Sequence, residues 1–460
     1  MRSRRAVTLF RWAAFPRRRV RTDRNETAPV RALTALALAL LASVAARPAH
    51  AGGRLYTTSK TVAPFWPDKD GDGRPDPVMY NINLDNITEN VAGPDPLNGW
   101  QAAIAASFEA WQNVPTASIE LFRGPNTTKV NGFALDGVNP IAFLPVGIPV
   151  GVLAITLPLS EAGTGEIVEA SMLFNPIPLG YDAPKPQYST DGSFGSLDIQ
   201  AIATHEAGHY IGLCHSAVRN DADDENPRPA EQAVMYPYIG HDVLAGRELK
   251  QDDIAWVSNV YPEPSEATTF GGIVGRIVVG SAPLGLYGAR GTHVVARERA
   301  TNRMVVGTYS RPELGVYRIP GLPPGDYNVW VEALDGPVSS LQVSALTQFT
   351  HFGSFPADYF SGDAESGTEP NPNDVATAVP VTVVAGGNRS FTDIVLDDSV
   401  PVCGRIPRDV LRGSGAGAGA AALAWLVALA LPIVVVGQLR ERRWRPSASG
   451  DQIEPARPPI

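Results

Sequence analysis

Residues 205–215, His-Glu-Ala-Gly-His-Tyr-Ile-Gly-Leu-Cys-His, constrain this chain more than any other stretch. On a helix, positions i and i+4 share a face, so His205 and His209 can turn their imidazoles toward one ion. Glu206 projects beside them, within reach of a water on that ion without being a ligand itself. A third donor six residues on requires the chain to leave the helix, and Gly212 supplies a residue that adopts positive φ without penalty. His215 then completes three nitrogen donors and leaves a fourth position for water, which is how catalytic rather than structural zinc is held. Three of the seven histidines in the chain fall in this window.

The surrounding pattern predicts what frames the motif. Residues 98–114 place Trp100, Ile104, Phe108 and Trp111 at helical spacing, an amphipathic helix packed on a core. Residues 150–157 and 166–174 read as strands joined by a glycine-containing turn. A second helix over 197–213 carries the histidines, 220–229 is loop, and a short helix over 251–261 ends at Pro262. After a Pro/Glu/Ser/Thr linker come short β-rich runs punctuated by Gly and Pro: 271–279, 292–298, 304–308, 315–319, 326–333 and 390–396. Residues 363–374 form an acidic loop among them. That spacing indicates a β-sandwich.

HEAGHYIGLCHS resembles the metzincin signature, and Ser216 after the third histidine makes it similar to the matrixin branch of zinc peptidases. Residues 233–237 (Ala-Val-Met-Tyr-Pro) resemble the Met-turn of that family, which implies that Met235 lies under the zinc. Gln251-Asp252-Asp253-Ile254 resembles the start of its last helix, and the likeness covers roughly residues 60–262. The resemblance implies an α+β catalytic domain, a twisted mixed sheet with an active-site helix. It further implies that strand 166–174 forms the upper rim of the cleft and pairs with an extended peptide. Pro237 and Tyr238 would wall the pocket for the side chain after the cut. Matrixins usually hold a second, structural zinc on upstream histidines. Residues 51–204 contain none, so one zinc per chain is expected.

Downstream, Gly271-Gly272-Ile273-Val274-Gly275-Arg276 is not followed by a helix-forming segment, so the dinucleotide reading fails. Together with Gly321-Leu322-Pro323-Pro324-Gly325 it is similar to the carboxypeptidase-regulatory-like, prealbumin-type sandwich, which implies a spacer or binding accessory. The stretch Asp68-Lys69-Asp70-Gly71-Asp72-Gly73 has carboxylates at alternate positions, as a calcium loop does, with Asp76 standing in for the absent bidentate Glu. A solvated acidic turn is the alternative.

Charge and hydropathy bear on compartment. The net charge is −9, with +9 in residues 1–51 and +2 in 438–460, so the segment between carries −20. Such acidity disfavours nucleic acid, so no nucleic-acid partner is expected. Residues 33–46 are apolar behind an Arg-rich start and precede Ala49-His50-Ala51, the pattern of a signal peptide cut near Gly52. A first transmembrane helix is the alternative, and fourteen residues are short for one. Residues 418–437 carry no charge and are followed by Arg440, Arg442, Arg443 and Arg445, a transmembrane helix or sorting signal with its cytoplasmic end marked. The expected organisation is therefore a signal peptide (1–51), a peptidase domain (52–263), a linker (264–269), a sandwich (270–398), a Gly/Ala-rich linker (399–417), the apolar span (418–437) and a basic tail (438–460). The catalytic part lies outside the cytoplasm and is anchored to the membrane at its C-terminus. Oligomeric state is not legible.

Two cysteines, Cys214 and Cys403, are too few for a disulfide framework. Cys214 reads as a small buried hydrophobe, since a fourth protein donor would close the site. The segment 401–409 around Cys403 is similar to the cysteine switch of matrix metalloproteinase prodomains, stretched by two residues. A place in the sorting tail is the alternative. These readings converge on a zinc endopeptidase with Glu206 as general base. Its rivals are an envelope adhesin that keeps the fold without turnover, and a hydrolase of non-peptide amides.

Overall fold

The structure, a computed structural model, describes residues 63–396 apart from 131–134, 145–147, 194–195, 220–231, 239–243, 280–286, 312–313, 335–337, 339–342, 344–354, 363–364 and 366–371. The predicted leader (1–51), the apolar span 418–437, the basic tail and Cys403 lie outside these residues, as do all of loop 220–229 and most of loop 363–374. Among the described residues, no helix is long and apolar enough to cross a membrane.

The first helix begins where the sequence provides a cap. The Asp95 side chain accepts from the Asn98 backbone N–H at 3.3 Å, and Pro96 takes the first helical position, where a missing N–H costs nothing. The helix, Pro96–Gln112, buries Trp100, Ile104, Phe108 and Trp111. Trp100 packs tilted against Phe143 and edge-on against Phe174, and Phe108 edge-on against Tyr210, a geometry ring quadrupoles favour.

That core lies against a five-stranded mixed sheet. Its order is Leu121–Arg123, Val78–Ile82, Pro140–Phe143, Ile167–Phe174, Ala154–Ser160; the first four strands run parallel and the last antiparallel. This corrects the expected rim. The strand Ile167–Phe174 is paired on both sides, so it has no free edge for a peptide. Ala154–Ser160 occupies the edge instead. It also starts four residues later than the predicted 150–157. The active-site helix spans Ile199–Tyr210, because Leu197–Asp198 pairs with Tyr188–Ser189 as a short strand and Asp198 becomes the cap.

Beyond the helix Gln251–Val260 and the short helix Glu266–Thr269, the described elements are all β. Gly271–Val279 pairs with Val316–Leu322 and Tyr287–Gly288 antiparallel, and with Asn388–Arg389 and Ile394–Leu396 parallel. A second sheet is ordered Met304–Tyr309, His293–Glu298, Gly325–Glu332, with Asp358–Tyr359 and Val381–Val383 both paired to the last. One apolar core serves both sheets, with Ile273, Ile277, Tyr317 and Ile319 from the first meeting Val294, Val306, Val329 and Val331 from the second. Two sheets around one core make this region a sandwich, as the spacing predicts.

Candidate metal centre

Asp198 opens the active-site helix by accepting from the Ala201 N–H at 2.8 Å, and the guanidinium of Arg247 pairs with its carboxylate. The helix ends at Tyr210, and Gly212 turns the chain at φ 86°. A Cβ there would lie 2.4 Å from the Pro64 carbonyl oxygen, so both conformation and space require glycine.

This turn brings the three histidines together. His209 Nε2 lies 3.1 Å from His205 Nε2 and 3.2 Å from His215 Nε2. Two nitrogens bound to one zinc at about 2.0–2.1 Å and a tetrahedral angle lie about 3.3 Å apart, so the spacing fits a single ion. His205 Nδ1 is 2.7 Å from the Val234 carbonyl and His209 Nδ1 is 2.8 Å from the Leu213 carbonyl. A carbonyl only accepts, so each Nδ1 carries the proton and each Nε2 presents its lone pair. Burial, and for His205 its two imidazole neighbours, pushes the pKa of His205 well below the usual histidine value. Burial likewise pushes that of His209 to about 4, so both rings are neutral at pH 7 as ligands must be.

Glu206 is fully buried next to this triad. Its Oε2 accepts from the Thr156 hydroxyl at 2.6 Å, and its Oε1 is buried with no hydrogen-bond partner. Burial pushes the carboxyl up to about 8, opposed by the Thr156 bond. A dication within a few Å favours the ionised form and works against that shift.

The floor of the site is equally determined. A Cβ on Gly208 would lie 2.2 Å from Met235 Sδ and 2.8 Å from Trp111 Cζ2, so glycine admits the methionine against the helix. The Asp253 carboxylate holds that turn by accepting from the N–H groups of Val234 (2.9 Å), Met235 (3.0 Å) and Lys250 (2.8 Å). Pro237 is buried and Tyr238 half-buried, the latter packed in a cluster with Tyr236, Tyr309, Val338 and Val343. Cys214 is buried, its Sγ donates to the His215 carbonyl at 3.3 Å, and burial pushes its thiol up to about 12. Cys214 is not among the donors that converge with the three histidines.

Of the predicted calcium residues, Asp68, Asp70 and Asp76 bring a carboxylate oxygen each within 4.8 Å of one another; Asp72 is not in the group. Sequence reasoning missed Thr156, which reaches Glu206 from a strand 50 residues away, and the part played by Asp253. Neither contact follows from local spacing. The one available cue was the pair of acids at 252–253 entering a helix, where a carboxylate caps exposed N–H groups.

A mixed sheet and a helix–turn–histidine segment thus present three converging imidazoles beside a buried carboxylate, a candidate three-histidine metal centre. Residues 179–262 match the matrixin family model. Rat and mouse matrilysin are each 37% identical over 85 residues, 18% of this chain and 27% and 28% of theirs. Human matrilysin is 35% identical over 78 residues, 17% of this chain and 25% of its own. The chain thus spans about a quarter of the length of these relatives. Among solved structures, a minor pilin of Streptococcus agalactiae aligns with 30% of this chain and 48% of its own at 12% identity and a TM-score of 0.17, too low to indicate a shared fold. The chain carries a matrixin-like domain, a class of metallopeptidase domain that implies zinc, and the His triad fits that ion.

Proposed function

We propose that the chain is a zinc-dependent endopeptidase acting on extended peptide segments outside the cytoplasm, with residues 52–263 as its catalytic domain. The observation that carries this reading is the unpartnered Glu206 Oε1, buried beside three converging Nε2 atoms. A buried carboxylate oxygen left without a donor costs stability, and a non-catalytic zinc fold has no use for one. His205, His209 and His215 would hold the ion, which supplies Lewis acidity and a water acidified toward neutral pH. Glu206 Oε1 would take a proton from the attacking water and return it to the leaving amine, while Thr156 fixes the orientation of the carboxylate through Oε2. The edge strand Ala154–Ser160 offers its free side to the main chain of a peptide, and Thr156 links that rim to the general base. Met235 forms the floor, and Pro237 and Tyr238 wall the pocket after the cut.

Residues 1–51 are the proposed export signal and 418–437 the proposed membrane or sorting segment, with 270–398 as accessory domain and 68–76 as candidate calcium loop. Zymography on casein or gelatin tests the activity. Wild-type protein should clear the substrate, and Glu206→Ala should not while retaining zinc. Clearing by Glu206→Ala at the wild-type rate would reject the assigned base, and no clearing by zinc-loaded wild type would favour the adhesin.

A further inference from the structure

The centre has a neighbour that its own motif does not supply. The strand Met304–Tyr309, at the edge of the second sandwich sheet, lies against the helix Gln251–Val260 and the return segment after His215. The Tyr309 hydroxyl donates to the carbonyl oxygen of His215 at 3.2 Å, and both residues are buried. Two residues earlier, the Gly307 N–H donates to Asp252 Oδ1 at 2.8 Å, and the Gly307 carbonyl accepts from Trp256 Nε1 at 3.1 Å. The Asp252 carboxylate also accepts from the hydroxyl of Ser216, the residue after the third histidine. At the start of the same helix, the Gly321 carbonyl accepts from Gln251 Nε2 at 2.9 Å. A Cβ on Gly321 would lie 2.4 Å from that of Ala255, so the backbones approach as closely as glycine allows.

His215 differs from its two fellow donors in what holds it. His205 and His209 ride on a helix whose hydrogen bonds fix their backbone, whereas His215 follows a glycine turn and belongs to no helix or strand. We infer that the sandwich is a structural part of the metal centre, and that Tyr309 is a positioning residue for the third donor. It acts through the His215 carbonyl, with Gly307, Asp252 and Ser216 clamping the next residue. The inference rests on the reading of the triad as a zinc site. Burial raises the pKa of Tyr309 well above the usual phenol value, so its hydroxyl stays protonated and remains a donor. The Cys214 Sγ contact to the same carbonyl is a weak donor and does not replace it.

The test uses the full chain and two variants that each lose one buried tyrosine hydroxyl bonded to a carbonyl. Tyr309→Phe removes the bond to His215. Tyr317→Phe removes the bond to Thr392 within the sandwich, away from the centre. Zinc affinity is measured by competition with a chromophoric chelator, and melting temperature is recorded in parallel. Groups that orient a metal ligand from behind typically change affinity about 10–100-fold. Tyr309→Phe should weaken zinc binding about tenfold or more, and Tyr317→Phe should leave it within twofold of wild type. In the peptidase assay, Tyr309→Phe should lower kcat with KM unchanged at saturating zinc. Equal zinc affinities for both variants, or equal losses tracking their melting temperatures, would overturn the inference. Zinc-loaded wild type that hydrolyses no peptide defeats the peptidase reading alone, and the affinity comparison still decides the role of Tyr309.

Discussion

The buried histidine centre and the exposed acidic loop at residues 68–76 each gather three donor side chains within 4.8 Å, yet they hold them in opposite ways. In the histidine centre the polar atoms that face the protein are spent on it: Nδ1 of His205 on Val234, Nδ1 of His209 on Leu213, Oε2 of Glu206 on Thr156. The Nε2 atoms of the three histidines converge on one another instead. In the acidic loop the carboxylates are spent on the loop itself. Asp68 accepts from the N–H groups of Gly71 and Gly73 at 2.7 and 2.9 Å, Asp70 from that of Asp72, and Asp76 from that of Lys69. Desolvation is the largest single influence on Asp68 and acts upward, yet the N–H donors of Gly73 and Gly71, with Asp70 and Asp72, together hold its carboxyl below the usual range. One region turns its Nε2 atoms toward one another, and the other closes its carboxylates on its own backbone N–H groups.

The largest effect that could break this contrast concerns Glu206. Replacing it with Gln keeps the size of the side chain and the partner for Thr156 but removes the proton acceptor. General acid–base groups contribute about 10²–10⁴-fold, so kcat should fall by that factor while elemental analysis still returns one zinc per chain. Two tightly held zinc ions would contradict a single centre. Among the described residues, no second histidine cluster offers a site.

Thr156 should matter next. A hydrogen bond to a charged group is worth about 1.5–3 kcal/mol, so Thr156→Val should reduce kcat/KM about 10–100-fold at pH 7. The sign of the pH effect follows from the partner. The hydroxyl stabilises the carboxylate and lowers the pKa of Glu206, so its loss raises that pKa and moves the acid limb of the rate profile to higher pH. Thr156→Ser should recover most of the rate. An unchanged profile in Thr156→Val would detach the edge strand from the chemistry.

How much of this was legible beforehand depends on the range of each contact. The spacing of His205, Glu206, His209, Gly212 and His215 is local, and the structure assembles it as the helix period and a glycine turn require. The Met-turn resemblance placed Met235, and Gly208 shows why a methionine can sit there. Strand order was not local, and the rim was assigned to the wrong strand for that reason. A cue existed: Pro158 lies in Ala154–Ser160, and proline lacks the N–H that an interior strand must donate, so it marks an edge. The near-continuous apolar run of Ile167–Phe174, buried at all but one position, marks an interior strand. Tyr309 was beyond reach, since nothing in residues 304–309 announces a carbonyl 94 residues upstream as its partner.

Gly212→Ala tests the geometry of the turn by stability rather than rate. A non-glycine residue held at positive φ costs about 1–3 kcal/mol, and here the added methyl also meets the Pro64 carbonyl. At about 2–4 °C per kcal/mol for a domain of 150–250 residues, the melting temperature should fall by about 2–12 °C. Zinc should be lost more readily, because His215 is carried by the same turn. Gly71→Ala, at φ 80° with open space around its Cβ position, bears only the conformational penalty and should cost less. A larger loss at Gly71 than at Gly212 would reverse the contrast between the two regions.

The smallest effect belongs to calcium at the acidic loop, where the group of three discriminates among the four aspartates. Extracellular calcium sites typically have Kd values of about 10⁻⁴–10⁻³ M. With calcium about tenfold above Kd, a ligand that binds only the folded state adds RT ln(1 + [L]/Kd), about 1.4 kcal/mol, and raises the melting temperature by about 3–6 °C. Zinc must be held constant throughout, so a calcium-selective chelator provides the reference state. Because Asp70 and Asp76 belong to the cluster and Asp72 does not, Asp70→Asn and Asp76→Asn should abolish the calcium-dependent shift. Asp72→Asn should retain it, even though losing the Asp72 bond to the Arg74 N–H changes the stability of the calcium-free protein. The readout is therefore the difference between calcium and chelator within each variant. Equal loss of that difference in all three variants would mean that Asp72 also ligates, and no difference in wild type would leave the loop a solvated turn closed on its own amides.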